Sequence, residues 1–527
     1  MTDRPAVAPK GMKWARSGPG FFGWTVALTV ALVVVIAAAR FLLPSSLAHY
    51  AVPGAAALVL VGSFVVRPKE TLLVFAGYVL FNETIAIYIG DASKRVDELA
   101  IPFFFAAAAL RSRAWTTHRV TLLREGALGV ALGIGVVSSL VNSVPITVWL
   151  PALLLLVKGV GIYYVACWLD FTAKDVQRYA VAVLAVAAVV LGLGFVELIN
   201  PVAFQHALRL PEYARVRGGI PSVKSVFFHP VLFGWFTTFC ALYLFAGYQV
   251  SRRWWMLLGG TLLSLGTILS GRRKPLVGMV AAIGVGFVWS LRRGASITGA
   301  VRAWLPIAAA GVVLLVLFLP VFTSLYGVTV QRFLLTEPPA GGNGSAGAGL
   351  GGGGSSGTFT PARVALYVGS LKIARDDFPL GAGLGRYGSW MSRVDYSPLY
   401  KKYGLSRIPG LRERNPKAAT DTFWPMILGE LGVLGLAAYL TFLGSLGWML
   451  WRAGPSPADP VIRAFLLGTL LIFTEALVES LAAPIFVAPP IAYFTFAAVG
   501  MVASLARSAP GLLRPSDPGE PSPSGTL

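Results

Sequence analysis

The residues best suited to chemistry are cations gathered in three segments between apolar runs. Ser270–Lys274 reads SGRRK and places Arg272, Arg273 and Lys274 in one very short turn. Asn200–Phe228 carries Arg209, Arg215, Arg217 and Lys224 against a single acid, Glu212. Gly327–Asp421 holds twelve basic residues. An arginine presents a planar donor fork that grips phosphate bidentately and stays charged when partly desolvated. Cationic loops beside apolar grooves therefore suit a lipid that carries phosphate. The plainer reading is a solvated basic surface touching anionic headgroups. Three charges in a connection as tight as SGRRK favour a phosphate site there.

These cations must be positioned by membrane helices. Hydrophobic residues make up 56% of the 527-residue chain and charged residues only 13%, with a mean hydropathy of +0.70. A soluble chain could not hide so much apolar surface, so the expected fold is an all-α polytopic membrane protein. The net charge of +21 then reads as orientation and lipid contact, with no nucleic acid implied. Cys167 and Cys240 lie in apolar runs, which excludes a disulfide framework or a zinc pattern. Soluble enzyme folds and secreted disulfide domains are ruled out.

A crossing helix needs about 20 apolar residues. Fourteen segments qualify or come close: 21–43, 50–66, 71–89, 96–110, 126–141, 144–169, 176–199, 229–248, 254–269, 275–291, 303–326, 423–451, 461–481 and 484–505. The expected count is thus about 14 transmembrane helices (range 12–14), with 96–110 and 126–141 the weakest. The first is read as a span rather than a signal peptide, being too long and lacking a small-residue cleavage site. With both termini in the cytoplasm, every inside segment carries Lys or Arg, as the positive-inside rule requires. The three cationic segments are the exceptions, and they face the periplasm.

The expected organisation is a cytoplasmic tail (1–20), eleven spans (21–326), a large periplasmic loop (327–421), three spans (422–507) and a cytoplasmic tail (508–527). Within the loop, Gly341–Gly357 reads as a flexible Gly/Ser/Ala linker. Val364, Tyr367, Val368 and Leu371 share the spacing of one helix face. Gly381–Gly388 (GAGLGRYG) reads as a glycine-rich turn whose backbone N–H groups suit phosphate or simply close a tight bend. Lys158 falls within a span, where burial costs about 2.5–3.5 kcal/mol on insertion scales. Pairing with Glu83, Glu197, Glu475 or Glu479 is the expected remedy, with a polar cavity the alternative. Glu430 is read as a packing or capping acid.

Four fragments, in order, resemble the O-antigen ligase and Wzy-type polysaccharide polymerase superfamily of bacterial inner membranes. FFHPVLFG (Phe227–Gly234) resembles its His-Pro segment opening a span, and LSGRRKPLVGM (Leu269–Met279) its Ser-Arg motif, with Arg273 the best match. ARVALYVGSLKIARDDFPLGAGLGRYG (Ala362–Gly388) resembles the arginine–aromatic helix followed by Pro-Leu-Gly-x-Gly. DTFWPMILGELGVLG (Asp421–Gly435) resembles the segment ending in Glu-x-Gly-x-x-Gly. The N-terminal half matches only as spans.

The resemblance implies a C-type glycosyltransferase fold that moves glycan from undecaprenyl pyrophosphate to a hydroxyl on the periplasmic face, with no cofactor and no metal. It implies that Arg273, Arg363 and Arg386 neutralise the pyrophosphate, with Arg272 and Lys274 beside them and Arg215 and Arg217 as upstream candidates. Ligases of this family generally carry a histidine where this chain has Asp421, which favours polymerisation over ligation and makes Asp421 the expected general base, against a plain N-cap of the following helix shared with Thr422. His229 is the second acid–base candidate, against a structural role at a helix start. The implied partners are the lipid-linked glycan, the bilayer, and a chain-length regulator or other assembly proteins. A flippase would place its cations inside the spans and show related halves. A metal-dependent oligosaccharyltransferase needs paired acids in the first outer loop, and PSSLAH (Pro44–His49) has none.

Overall fold

The computed structural model describes residues 19–42, 44–111, 122–212, 216–217, 219–323, 362–453 and 459–508. The linker 341–357 lies outside them, as do almost all of both tails. The helices are α1 (Pro19–Leu42), α2 (Ser45–Val66), α3 (Pro68–Ile89), α4 (Val96–Arg111), α5 (Leu122–Val141), α6 (Ile146–Trp168), α7 (Ala173–Ile199), α8 (Pro201–Ala207), α9 (Pro230–Ser251), α10 (Trp254–Leu269), α11 (Arg273–Arg292) and α12 (Ile297–Leu317). Then come α13 (Ala362–Asp376), α14 (Trp390–Val394), α15 (Pro398–Lys402), α16 (Trp424–Arg452), α17 (Pro460–Glu479) and α18 (Ile491–Ser508). Among the described residues, the only strands are β1 (Val216–Arg217) and β2 (Ile220–Pro221), an antiparallel pair.

Each of the fourteen apolar segments contains a helix within its described residues, and the described residues are those of an all-α, multi-pass membrane protein. Ten helices among the described residues are long and apolar enough to cross a bilayer, and three shorter ones (Tyr50–Val66, Trp254–Leu269, Ile491–Arg507) are apolar throughout. Helix α4 is set apart by Asp97 and Glu98 in its first turn. The last helix begins at Ile491 rather than at Pro484, because Pro484, Pro489 and Pro490 lack the N–H groups a helix interior needs. The core runs between α6 and α18, α9 and α17, α11 and α17, and α5 and α16. Close approach depends on small residues: a Cβ on Gly500 would meet the Tyr163 carbonyl at 2.3 Å, so α18 and α6 touch backbone to backbone.

The buried charges find partners other than those expected. Lys158 on α6 pairs with Asp97 at 3.0 Å and Glu98 at 3.4 Å, and Tyr493 donates to Asp97 at 2.5 Å. The four acids considered from sequence are committed elsewhere. Glu83 holds Lys94 at 2.8 Å. Glu197 accepts the backbone N–H groups of Lys224 (2.9 Å) and Ser225 (2.7 Å) and the Gln205 amide (2.9 Å). Glu475 and Glu479 face each other on α17. Facing of α4 against α6 decides the pairing, and no pattern along either helix announces which neighbours meet.

Candidate functional site

The SGRRK turn joins α10 to α11. Gly271 takes φ +64°, a conformation that favours glycine, while the Ser270 hydroxyl accepts the Arg272 N–H at 3.2 Å and donates to the Thr267 carbonyl at 2.6 Å. The turn is anchored from the upstream loop by Val223 N–H donating to the Leu269 carbonyl at 2.9 Å. Arg272 precedes α11 as its N-cap residue, and Arg273 and Lys274 occupy the helix's first turn. His229, N-cap of α9, accepts the Val231 N–H on Nδ1 at 3.2 Å and brings Nε2 to 3.1 Å from Arg272 Nη2. Its structural role at a helix start is thus realised, and it stands against the first cation of the turn.

Lys274 Nζ donates to the carbonyl of Ala482, just past α17. That same Ser480–Ala482 turn receives two more side chains. Tyr367 of α13 donates to the Leu481 carbonyl at 2.8 Å, and Trp424 at the start of α16 donates to the Ser480 hydroxyl at 2.9 Å. Burial raises the Tyr367 pKa above the usual phenol value, which keeps it a donor. One turn earlier on α13, Arg363 Nη2 lies 3.0 Å from Asp421 Oδ2, with both side chains nearly half exposed. Arg272, Arg363, Asp421 and Glu479 all act electrostatically on Lys274. Four distant stretches of sequence thus meet at one end of α11, α16 and α17. Asp421 does not cap α16: the N-cap position is Phe423, with no side-chain hydrogen bond.

The glycine-rich turn is not a phosphate cradle. Its donors are already used: Ala382 N–H on the Gly429 carbonyl (2.9 Å) and Gly383 N–H on the Glu430 carbonyl (3.0 Å). Leu384 N–H donates to the Ser139 hydroxyl (2.9 Å) and Gly388 N–H to the Tyr400 hydroxyl (3.0 Å). The buried Glu430 carboxylate takes the Tyr387 N–H at 2.9 Å, and the backbone N–H groups of Gly385 and Arg386 and the Ser389 side chain lie near enough to act on it. Glu430 is therefore a cap, as expected, but for this turn rather than for a helix end. The contact is tight because α16 breaks at Gly432 (φ 68°, ψ −168°). A Cβ at Gly432 would stand 2.4 Å from the Pro379 carbonyl.

Not every expected cation joins the cluster. Arg386 is half-buried in the glycine turn, and its Nε has no hydrogen-bond partner among the described residues; it is not among the groups that act on Lys274. The backbone of Arg217 forms β1, while its side chain and all of Arg215 lie outside the described residues. Lys224 is fully buried and donates to the Pro211 carbonyl, so it braces its own loop. Burial lowers its pKa, opposed by the nearby Glu197 carboxylate.

Two residues that the sequence reading did not assign to the site belong beside it. Glu475 and Glu479, one helical turn apart on α17, are buried and act electrostatically on each other. Neither carboxyl oxygen of Glu479 has a hydrogen-bond partner among the described residues, and Lys274 acts on it electrostatically. Two acids at i, i+4 inside an apolar span were the available signal, since membrane-buried acids mark functional positions. Among the described residues, no group of three or more His, Cys, Asp or Glu could hold a metal ion. Compared with known proteins, the chain matches no family model and no curated relative.

Proposed function

We propose that the protein polymerises oligosaccharide repeat units carried on undecaprenyl pyrophosphate, at the periplasmic face of a bacterial inner membrane. The observation that carries this reading is the convergence of Arg272, Lys274 and Arg363 with Asp421 at one end of the helix set, with Arg273 between the first two in the chain. A pyrophosphate tethered to a lipid brings its charge to the bilayer surface, where a cation cluster at helix ends can meet it. The cluster is metal-free in this reading because guanidinium and ammonium groups supply the neutralisation. The order of motifs resembling O-antigen ligases and Wzy-type polymerases supports the same assignment.

The reaction follows from the groups at hand. The acceptor hydroxyl oxygen bonds to the anomeric carbon as the bond from that carbon to the pyrophosphate oxygen breaks. The electron pair leaves with the pyrophosphate, where Arg273, Arg272 and Lys274 offset the growing charge. Preorganised donors at such a position are worth about 10²–10³ in rate each. The hydroxyl proton passes to Asp421. In the resting protein Asp421 holds Arg363; an arriving pyrophosphate competes for that guanidinium and leaves the carboxylate to the hydroxyl. Asp421 stands where related ligases have histidine, which favours polymerisation over transfer of finished chains to another acceptor.

The test is the size of lipid-linked glycan in cells lacking the gene. Loss of long chains with single units still transferred supports a polymerase. Long chains retained on the carrier would mean a ligase, and an unchanged distribution overturns both. Arg273→Ala should abolish polymer while the protein stays in the membrane, and Lys should restore it only in part because it lacks the donor fork.

A further inference from the structure

Helix α13 packs one face against the protein and leaves a second, apolar stripe open. Ala365, Leu366, Gly369, Ser370, Ile373 and Ala374 are buried. Val364, Val368 and Leu371, at i, i+4 and i+7, are 50%, 47% and 63% exposed, and Phe378 just beyond the helix is 70% exposed. A helix facing water shows polar residues on its open side, so this stripe marks a contact surface.

Position and charge say what covers it. Tyr367 ties α13 to the Leu481 carbonyl beyond α17, and Arg363 ties it to Asp421 just before α16. The helix therefore lies at the level where two membrane-crossing helices end. Arg375 continues the stripe at i+11, and Lys372 flanks it; both are exposed. The helix's one acid, Asp376, accepts the Tyr403 hydroxyl at 2.8 Å. An apolar stripe bordered by cations is the pattern of a helix lying in an anionic interface.

We infer that α13 is an interfacial helix whose Val364–Val368–Leu371 stripe sits in the hydrocarbon edge of the bilayer while Lys372 and Arg375 meet anionic lipid headgroups. It would fix the height of Arg363 relative to the membrane surface, whatever the protein transfers.

The test uses full-length protein in phosphatidylethanolamine–phosphatidylglycerol vesicles, with a nitroxide on Val364→Cys, Val368→Cys or Leu371→Cys. Both native thiols are buried, which directs the label to the introduced cysteine. The reference is Arg414→Cys in the exposed Arg412–Asn415 turn. The ratio of oxygen to nickel-chelate collision should be several-fold higher at the three stripe positions than at 414. It should fall when phosphatidylcholine replaces phosphatidylglycerol, and a Lys372→Glu, Arg375→Glu double variant should lose that lipid dependence. Nickel access equal to that at 414 overturns the inference. So does shielding from both reagents, which would mean that residues 324–361 or a second copy of the chain cover the stripe. None of these readouts depends on enzymatic turnover, so the proposed reaction can fail without touching this result.

Discussion

Glu430 offers the sharpest quantitative test of the architecture around the site. Its buried carboxylate receives the Tyr387 N–H at 2.9 Å, and the N–H groups of Gly385 and Arg386 lie near enough to act on it. Glu430→Ala would leave these three donors without an acceptor in a water-poor interior. Each buried donor left unsatisfied costs about 1–3 kcal/mol, an upper bound of about 9 kcal/mol if none finds a substitute. Water entering the space left by the side chain would recover part of this, so the expected loss is about 3–5 kcal/mol. Glu430→Gln keeps one acceptor oxygen but turns an NH₂ toward other donors, and should lose about 1–3 kcal/mol. Unfolding of the purified protein in mixed micelles, titrated with a denaturing detergent, reads both differences. A Glu430→Ala protein within about 0.5 kcal/mol of wild type, the scale of a neutral surface change, would refute the argument that this carboxylate holds the glycine turn.

Three further outcomes follow from the same structure. Lys158→Met should destabilise the protein by about 3–5 kcal/mol, because it strands Asp97 as an uncompensated buried charge; adding Asp97→Asn should recover most of the loss in the same unfolding assay. Gly432→Ala should lower the unfolding midpoint markedly and reduce membrane-inserted protein, since a Cβ cannot fit 2.4 Å from the Pro379 carbonyl. Asp421→Asn should reduce chain elongation by about 10²–10⁴-fold, the range for a general base, with the unfolding midpoint nearly unchanged because the residue caps no helix. An active Asn variant would move the search for a base to His229 or Glu479.

Much of the fold was legible because a bilayer demands long apolar runs, and each such run became a helix. The meeting of SGRRK, Arg363 and Asp421 was legible only as an ordered set of fragments, since nothing in their spacing shows that they share one end of the helices. Side-chain periodicity was incomplete at α13. It identified Val364, Val368 and Leu371 as one face but could not say whether that face is core or surface, and the packed side proved to be the one that carries Leu366 and Ile373 among small residues. The glycine turn failed as a phosphate site for a related reason. The donors of Ala382, Gly383 and Tyr387 are matched by backbone carbonyls and an acid on the distant α16, a partner that local sequence does not reveal. Lys158 shows the same limit: the cost of its burial was readable, while the identity of its partner depended on which helices touch.

In the proposed reaction the cations at the ends of α11 and α13 act on a lipid-borne pyrophosphate. Purified protein in liposomes, supplied with undecaprenyl-pyrophosphate-linked repeat units, tests it most directly through the length of glycan formed. Wild type should extend the chains, and Arg273→Ala and Arg363→Ala should leave single units on the carrier while their unfolding midpoints match wild type. Full extension by both variants, or no extension by folded wild-type protein with any such substrate, would contradict the account.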